Sequence, residues 1–120
     1  MKVVLWFLMM LMPLLASASS VNEEQLFHRL DSYIAQRSKF TQRKEAKLLR
    51  LKKQLYMTSD KRSQLSLYNQ IYREYYTYRY DSAMTYAKKG YQLAAQLQDD
   101  YFINLNKINR AAVLSTGGFY

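Results

Sequence analysis

The chain reads as all-α, a set of antiparallel helix hairpins of the kind that stack into an α-solenoid. Three observations predict this. Among 120 residues there are one proline and three glycines, so little interrupts a helix. Apolar residues recur at helical spacing, and no stretch alternates with the period of a strand. Between Tyr80 and Ala94, small residues recur at Ala83, Ala87, Gly90 and Ala94, spaced four, three and four apart. That spacing puts them in one seam of a helix. A seam without bulk lets a neighbouring helix approach toward the short end of the usual ~8–10 Å range. Tyr80, Tyr86 and Tyr91 stand around it as wedges.

The elements follow in order. Residues 1–18 have the three parts of a secretory signal peptide: Lys2, an apolar run from Val3 to Leu15 broken only by Pro13, and Ala16-Ser17-Ala18 before polar Ser19 and Ser20. The run is short of the ~20 residues a membrane span needs. The alternative is an uncleaved N-terminal anchor; a lipid-modified cysteine is excluded by the absence of cysteine. A first helix opens at Asn22, an N-cap with Gln25 in capping-box position, and Glu23 and Glu24 suit its positive end. Leu26, Phe27, Leu30, Tyr33 and Ile34 form one apolar face, and the helix is expected to fade near Arg37.

Ser38 to Thr41 reads as a short break. A second helix then runs to Met57, with Leu48, Leu51 and Leu55 as a narrow stripe and Leu49 beside it. Its other faces are basic: Arg43, Lys44, Lys47, Arg50, Lys52 and Lys53, opposed within the helix only by Glu45. Thr58-Ser59-Asp60 breaks and caps. A third helix, Lys61 to Thr77, is expected to bury Leu65, Tyr68, Ile71, Tyr72 and Tyr75. A turn at Tyr78–Tyr80 leads to Asp81 as N-cap of a fourth helix reaching Gln98. Asp99-Asp100 breaks and caps again. A fifth helix covers Tyr101 to Ser115, with Phe102, Leu105, Ile108, Ala112 and Leu114 as its apolar set. Gly117-Gly118 ends it, a left-handed terminus being open to glycine. The domain reading is therefore 1–18 signal peptide, 19–60 N-terminal helical cap with a basic helix, and 61–120 helical repeats, the last truncated. On that reading the fifth helix lacks a partner to cover Ile108 and Leu114, and it is expected to fray or drive self-association.

Chemistry is sparse. His28 is the lone histidine, beside an apolar face, with no cysteine to complete a metal site. Asp99-Asp100 is a cap before it is a carboxylate pair. Ser115-Thr116-Gly117-Gly118 lacks the lysine and following helix of a phosphate loop. No nucleophile–base pair can be assembled, so no enzyme, cofactor or metal is expected, and no catalytic residue is named. The formal charge is +9, which draws an exported chain to anionic surfaces. Eight basic residues and one acid lie between Arg37 and Lys53. They read first as a solvated face and second as a site for anionic lipid or an acidic partner. Export disfavours nucleic acid. Of twelve tyrosines, eight fall between Tyr68 and Tyr91, as packing wedges or as interface groups. Tyr76 and Tyr78, off the main face of the third helix, are the candidate partner-binding tyrosines, together with Arg43, Lys47 and Arg50.

Tyr80 and Tyr120, forty residues apart, each follow a helix and a short turn. Such self-similarity means a stacked helical repeat. Tyr80, Ala83 and Gly90 resemble the aromatic and two small residues of a tetratricopeptide repeat (TPR). Gly118, Tyr120 and Ala111 resemble the turn glycine, the aromatic and the first-helix small residue of the next. The repeat-packing set is therefore Tyr80, Ala83, Ala87, Gly90, Ala94, Ala111, Gly118 and Tyr120. Tyr78 replaces the turn glycine of the first repeat, Ile71 replaces its first-helix small residue, and the period exceeds the usual ~34. Taken with the signal peptide, Asp31–Arg37, Lys44–Lys53, Leu67–Tyr75 and Tyr80–Ala87, the chain is similar to the N-terminal region of exported bacterial TPR regulators. That resemblance implies a periplasmic repeat array, followed in full-length members by a transmembrane helix anchored in the inner membrane, a coiled coil and often a DNA-binding domain. It implies a non-enzymatic scaffold and sensor for a protein or peptide ligand. The alternative reading is a self-contained basic helical protein acting on anionic envelope surfaces.

Overall fold

The computed structural model describes the backbone of residues 2–117 and the side chains of residues 22–117. Four helices make up those residues: α1 (Lys2–Met57), α2 (Lys61–Tyr76), α3 (Tyr80–Leu97) and α4 (Asp100–Thr116). They fall into two units, residues 1–41 and 42–120. The signal-peptide side chains, Gly118 and Tyr120 lie outside the described residues.

The first correction concerns Ser38–Thr41, where no break occurs and α1 is helical throughout. None of those four residues is glycine or proline. Serine and threonine inside a helix cost only a few tenths of a kcal/mol, too little to stop one. In the first unit the apolar face of the first helix is exposed: Leu26, Phe27, Leu30, Tyr33 and Ile34 are 53–67% exposed.

In the second unit the core lies where four helices meet. Leu48 and Leu51 of α1 pack with Leu67, Ile71, Tyr72 and Tyr75 of α2, Ala83 and Ala87 of α3, and Val113 of α4. Asp60 caps α2, its Oδ2 accepting from the Ser63 N–H at 3.0 Å and the Ser63 hydroxyl at 2.6 Å. Those two bonds lower the Asp60 pKa below its ordinary value. Asp99 caps α4 in the same way, its Oδ1 accepting from the Phe102 N–H at 3.1 Å. The two caps are 39 residues apart and mark the true repeat.

Other ends differ from expectation. Arg79, without a side-chain cap, precedes α3, and Asp81 sits in the first turn. There its charge still suits the positive helix end. Gly117 is right-handed, at φ −77°. The left-handed residue is Gln98, at φ 53°. The Gln98 N–H donates to the Ala95 carbonyl and the Asp99 N–H to the Ala94 carbonyl, closing a Schellman terminus.

Ala83, Ala87, Gly90 and Ala94 are all buried on α3, which packs between α2 and α4. At Gly90 the helices come closest: an added Cβ would lie 2.6 Å from Asn106 Oδ1. The buried residues of α4 are Asn106, Asn109 and Val113. Ala111, expected in repeat packing, is exposed on α4, where no described helix covers it. Ile108 and Leu114 are 66% and 44% exposed.

Candidate interaction surfaces

The tyrosines weave α2 to α3. Tyr86 stacks on Tyr75, ring centroids 5.7 Å apart, and lies 6.2 Å from Tyr68. Tyr76 sits between Tyr72 at 5.7 Å and Tyr80 at 6.3 Å. Such pairs each add ~0.5–1.5 kcal/mol beyond the area they bury. Burial raises the pKa of Tyr72 and Tyr86. Tyr72 donates its hydroxyl to the Asn109 carbonyl at 3.2 Å, tying α2 to α4. Asn109 also donates from Nδ2 to Asn69 Oδ1, at 3.2 Å.

The two tyrosines expected to face a partner are committed internally. Tyr76 is half-buried against the core. Tyr78 donates its hydroxyl to Glu45 Oε1 at 2.8 Å, which raises its pKa, and the Arg79 guanidinium lies 5.0 Å from its ring. Of the candidate basic residues, Lys47 is tied down as well. Its Nζ is 2.6 Å from Glu74 Oε1, while Lys44 Nζ is 2.8 Å from Glu74 Oε2. The hydrogen bonds from Lys44 and then Lys47 hold the Glu74 carboxyl below its ordinary pKa. Lys52 donates to the Tyr75 hydroxyl, which raises the lysine pKa against the opposing effect of burial. Arg43 and Arg50 stay exposed on α1, with Lys53, Leu49, Tyr56 and Met57 also exposed.

A surface that the sequence reading missed lies between α3 and α4. It is a groove of about 620 Å³, with Tyr80 and Met84 along one side, Val113 and Leu114 along the other, and Asp81 and Lys88 among its lining. The volume is within the ~300–1,000 Å³ of ligand-binding clefts. The floor is apolar, and the charged pair offers orientation. Tyr80, assigned to packing, has one edge on Tyr76 and the other on this groove. The signal available in sequence was Met84, one turn after Tyr80 on the face that also carries Lys88. Met adapts to irregular partners.

Among the described residues, no three His, Asp or Glu side chains stand close enough to hold a metal ion. His28 is exposed. Asp99 is held by its cap and by Arg62, 3.6 Å away. No described helix is long and apolar enough to cross a membrane. The arrangement offers contact surfaces of apolar and charged side chains.

Residues 34–120 match the family model described as the SusR N-terminal TPR domain. No curated protein and no solved structure matches the chain.

Proposed function

The chain belongs to the family of SusR N-terminal TPR domains, and from that premise we propose that it is the exported, sensory part of an envelope regulator. A TPR domain is a helical scaffold for protein interaction, and the partner here is a protein of unknown identity. The domain holds that protein or peptide without chemistry of its own. The α3–α4 groove is the observation that carries this reading. Its apolar floor of Met84, Val113 and Leu114 accepts apolar side chains, and Asp81 and Lys88 fix the direction of a charged segment. Export rests on Lys2, the Val3–Leu15 run and Ala16-Ser17-Ala18.

A photo-cross-linking residue at Met84 or Leu114, introduced in living cells, should give one discrete heavier adduct. The same residue at exposed Lys61 should give none. Absence of any adduct from both groove positions, in well-folded protein, removes the groove as the binding site. The mature chain should begin at Ser19, within about two residues of the A-x-A motif. An intact Met1 on membrane-held protein would argue for an anchor.

A second reading has its own observation. Arg43, Arg50 and Lys53 are exposed on α1 in company with exposed Leu49, Tyr56 and Met57. Each basic residue near an anionic bilayer contributes ~1 kcal/mol. Sedimentation with phosphatidylglycerol vesicles, lost in a few hundred millimolar salt, would support surface binding. Equal recovery with neutral and anionic vesicles would dismiss it.

A further inference from the structure

The open face of α1 in the first unit has an internal symmetry. Glu23, Leu26, Phe27, Leu30, Tyr33, Ile34 and Arg37 follow one another at helical spacing and share one side. They are palindromic about Leu30. Three residues away on either side stand the aromatics Phe27 and Tyr33. Four residues away stand the aliphatics Leu26 and Ile34. Seven residues away stand opposite charges, Glu23 and Arg37. All seven are exposed, the five apolar ones by 53–67%. A large apolar stripe rimmed by charge marks an interaction surface. The family match starts at residue 34, so most of this face precedes the TPR domain.

We propose that this face is a homodimer seam, occupied by the same face of a second copy running antiparallel. A two-fold axis through Leu30 would bring each Leu30 against its twin. Phe27 would meet Tyr33 of the partner subunit, and Leu26 would meet Ile34 of the partner subunit. Each Glu23 would reach Arg37 of the partner subunit, closing both ends of the seam with ion pairs. A parallel pairing instead sets Glu23 against Glu23 and Arg37 against Arg37, and like charges so placed are unfavourable. The charge pattern therefore selects both the occupant and its direction. The stripe from Leu26 to Ile34 is ~12 Å long at 1.5 Å per residue. A seam this short makes a reversible dimer, formed at high local concentration.

The absence of native cysteine makes the test direct. Single-cysteine variants of the full chain, recovered from cells and checked for helicity, are oxidised at about 100 µM. Leu30→Cys should cross-link to itself. Glu23→Cys and Arg37→Cys should each stay monomeric alone and cross-link when mixed. Disulfides need Cα atoms within ~7 Å, so this pattern reports the register. In sedimentation equilibrium, Leu30→Glu should weaken the dimer at least tenfold. Glu23→Arg should weaken it too, and the exchange Glu23→Arg/Arg37→Glu should restore it. These positions are exposed, so folding should survive each change. Self-cross-linking of Glu23→Cys and of Arg37→Cys would overturn the antiparallel seam. A monomer at 100 µM with no cross-link at Leu30→Cys would overturn the dimer itself.

Discussion

Replacing Gly90 by alanine sets two helix effects against each other, and the surroundings decide the sign. Alanine inside a helix is favoured over glycine by ~1 kcal/mol. At Gly90 the new Cβ would meet Asn106 Oδ1 at 2.6 Å, and its Cγ and Nδ2 at 2.9 Å. Asn106 has little room to give. It is 1% exposed, and its Nδ2 donates to the Phe102 carbonyl at 2.8 Å. Its Oδ1 has no partner among the described residues, so it is already held at some cost. Overpacking of this kind costs ~1–3 kcal/mol. Gly90→Ala should therefore destabilise by about 1 kcal/mol net. In an Asn106→Ala background the obstacle is gone, and the same change should stabilise by about 1 kcal/mol. Urea unfolding followed by helical circular dichroism gives both values. The two substitutions should couple by ~1–3 kcal/mol in a double-mutant cycle. If Gly90→Ala stabilises the unaltered chain, or the coupling is below ~0.5 kcal/mol, the α3–α4 approach at Gly90 is wrong.

Other expectations follow from single positions. Ala83 is fully buried, so Ala83→Leu should cost ~1–3 kcal/mol; an unchanged urea midpoint would contradict the seam. Gln98 is left-handed at φ 53°, so Gln98→Gly should gain roughly 0.5–1 kcal/mol in the same assay by removing Cβ strain; a loss would contradict that terminus. Folding lowers the Glu74 pKa below its ordinary 4.5 through Lys44 and Lys47. Its contribution is therefore present above pH 4.5 and lost as pH falls through the folded value. Glu74→Gln should cost about 1 kcal/mol at pH 7, a figure reduced for the exposure of Lys47. That cost should vanish on acidification, and a pH-independent cost would refute the ion-pair account.

The α3 seam was legible because Ala83, Ala87, Gly90 and Ala94 carry both the period and the size of a close contact. The Asp60 and Asp99 caps were legible for a similar local reason. What escaped depended on partners distant in sequence. Glu74 neutralises Lys44 and Lys47 from thirty and 27 positions away, so the basic helix looked more open than it is. The buried face of α4 was obscured because two of its three residues, Asn106 and Asn109, are polar. An apolar period search passes over them and selects Ile108, which is exposed. The supposed break at Ser38–Thr41 failed because serine and threonine favour caps without forbidding a helix. The groove needs Tyr80 and Met84 beside Val113 and Leu114, a neighbourhood that only the packing of α3 on α4 creates.

The tyrosine-rich segment bears on where binding can occur. Tyr68, Tyr72, Tyr75, Tyr76 and Tyr86 pack ring to ring between α2 and α3. Tyr72 and Tyr78 also donate their hydroxyls within the domain. A partner gains little from rings already in contact with one another. Tyr80 is different, because it closes this aromatic row at Tyr76 and opens onto the groove beside Met84. On the proposed reading, a ligand in the groove would meet a ring that also contacts the scaffold at Tyr76. The same packing that removes most of the tyrosines from candidacy leaves Tyr80 lining the groove. Tyr80, rather than Tyr76 or Tyr78, is the aromatic through which the scaffold and its partner would meet.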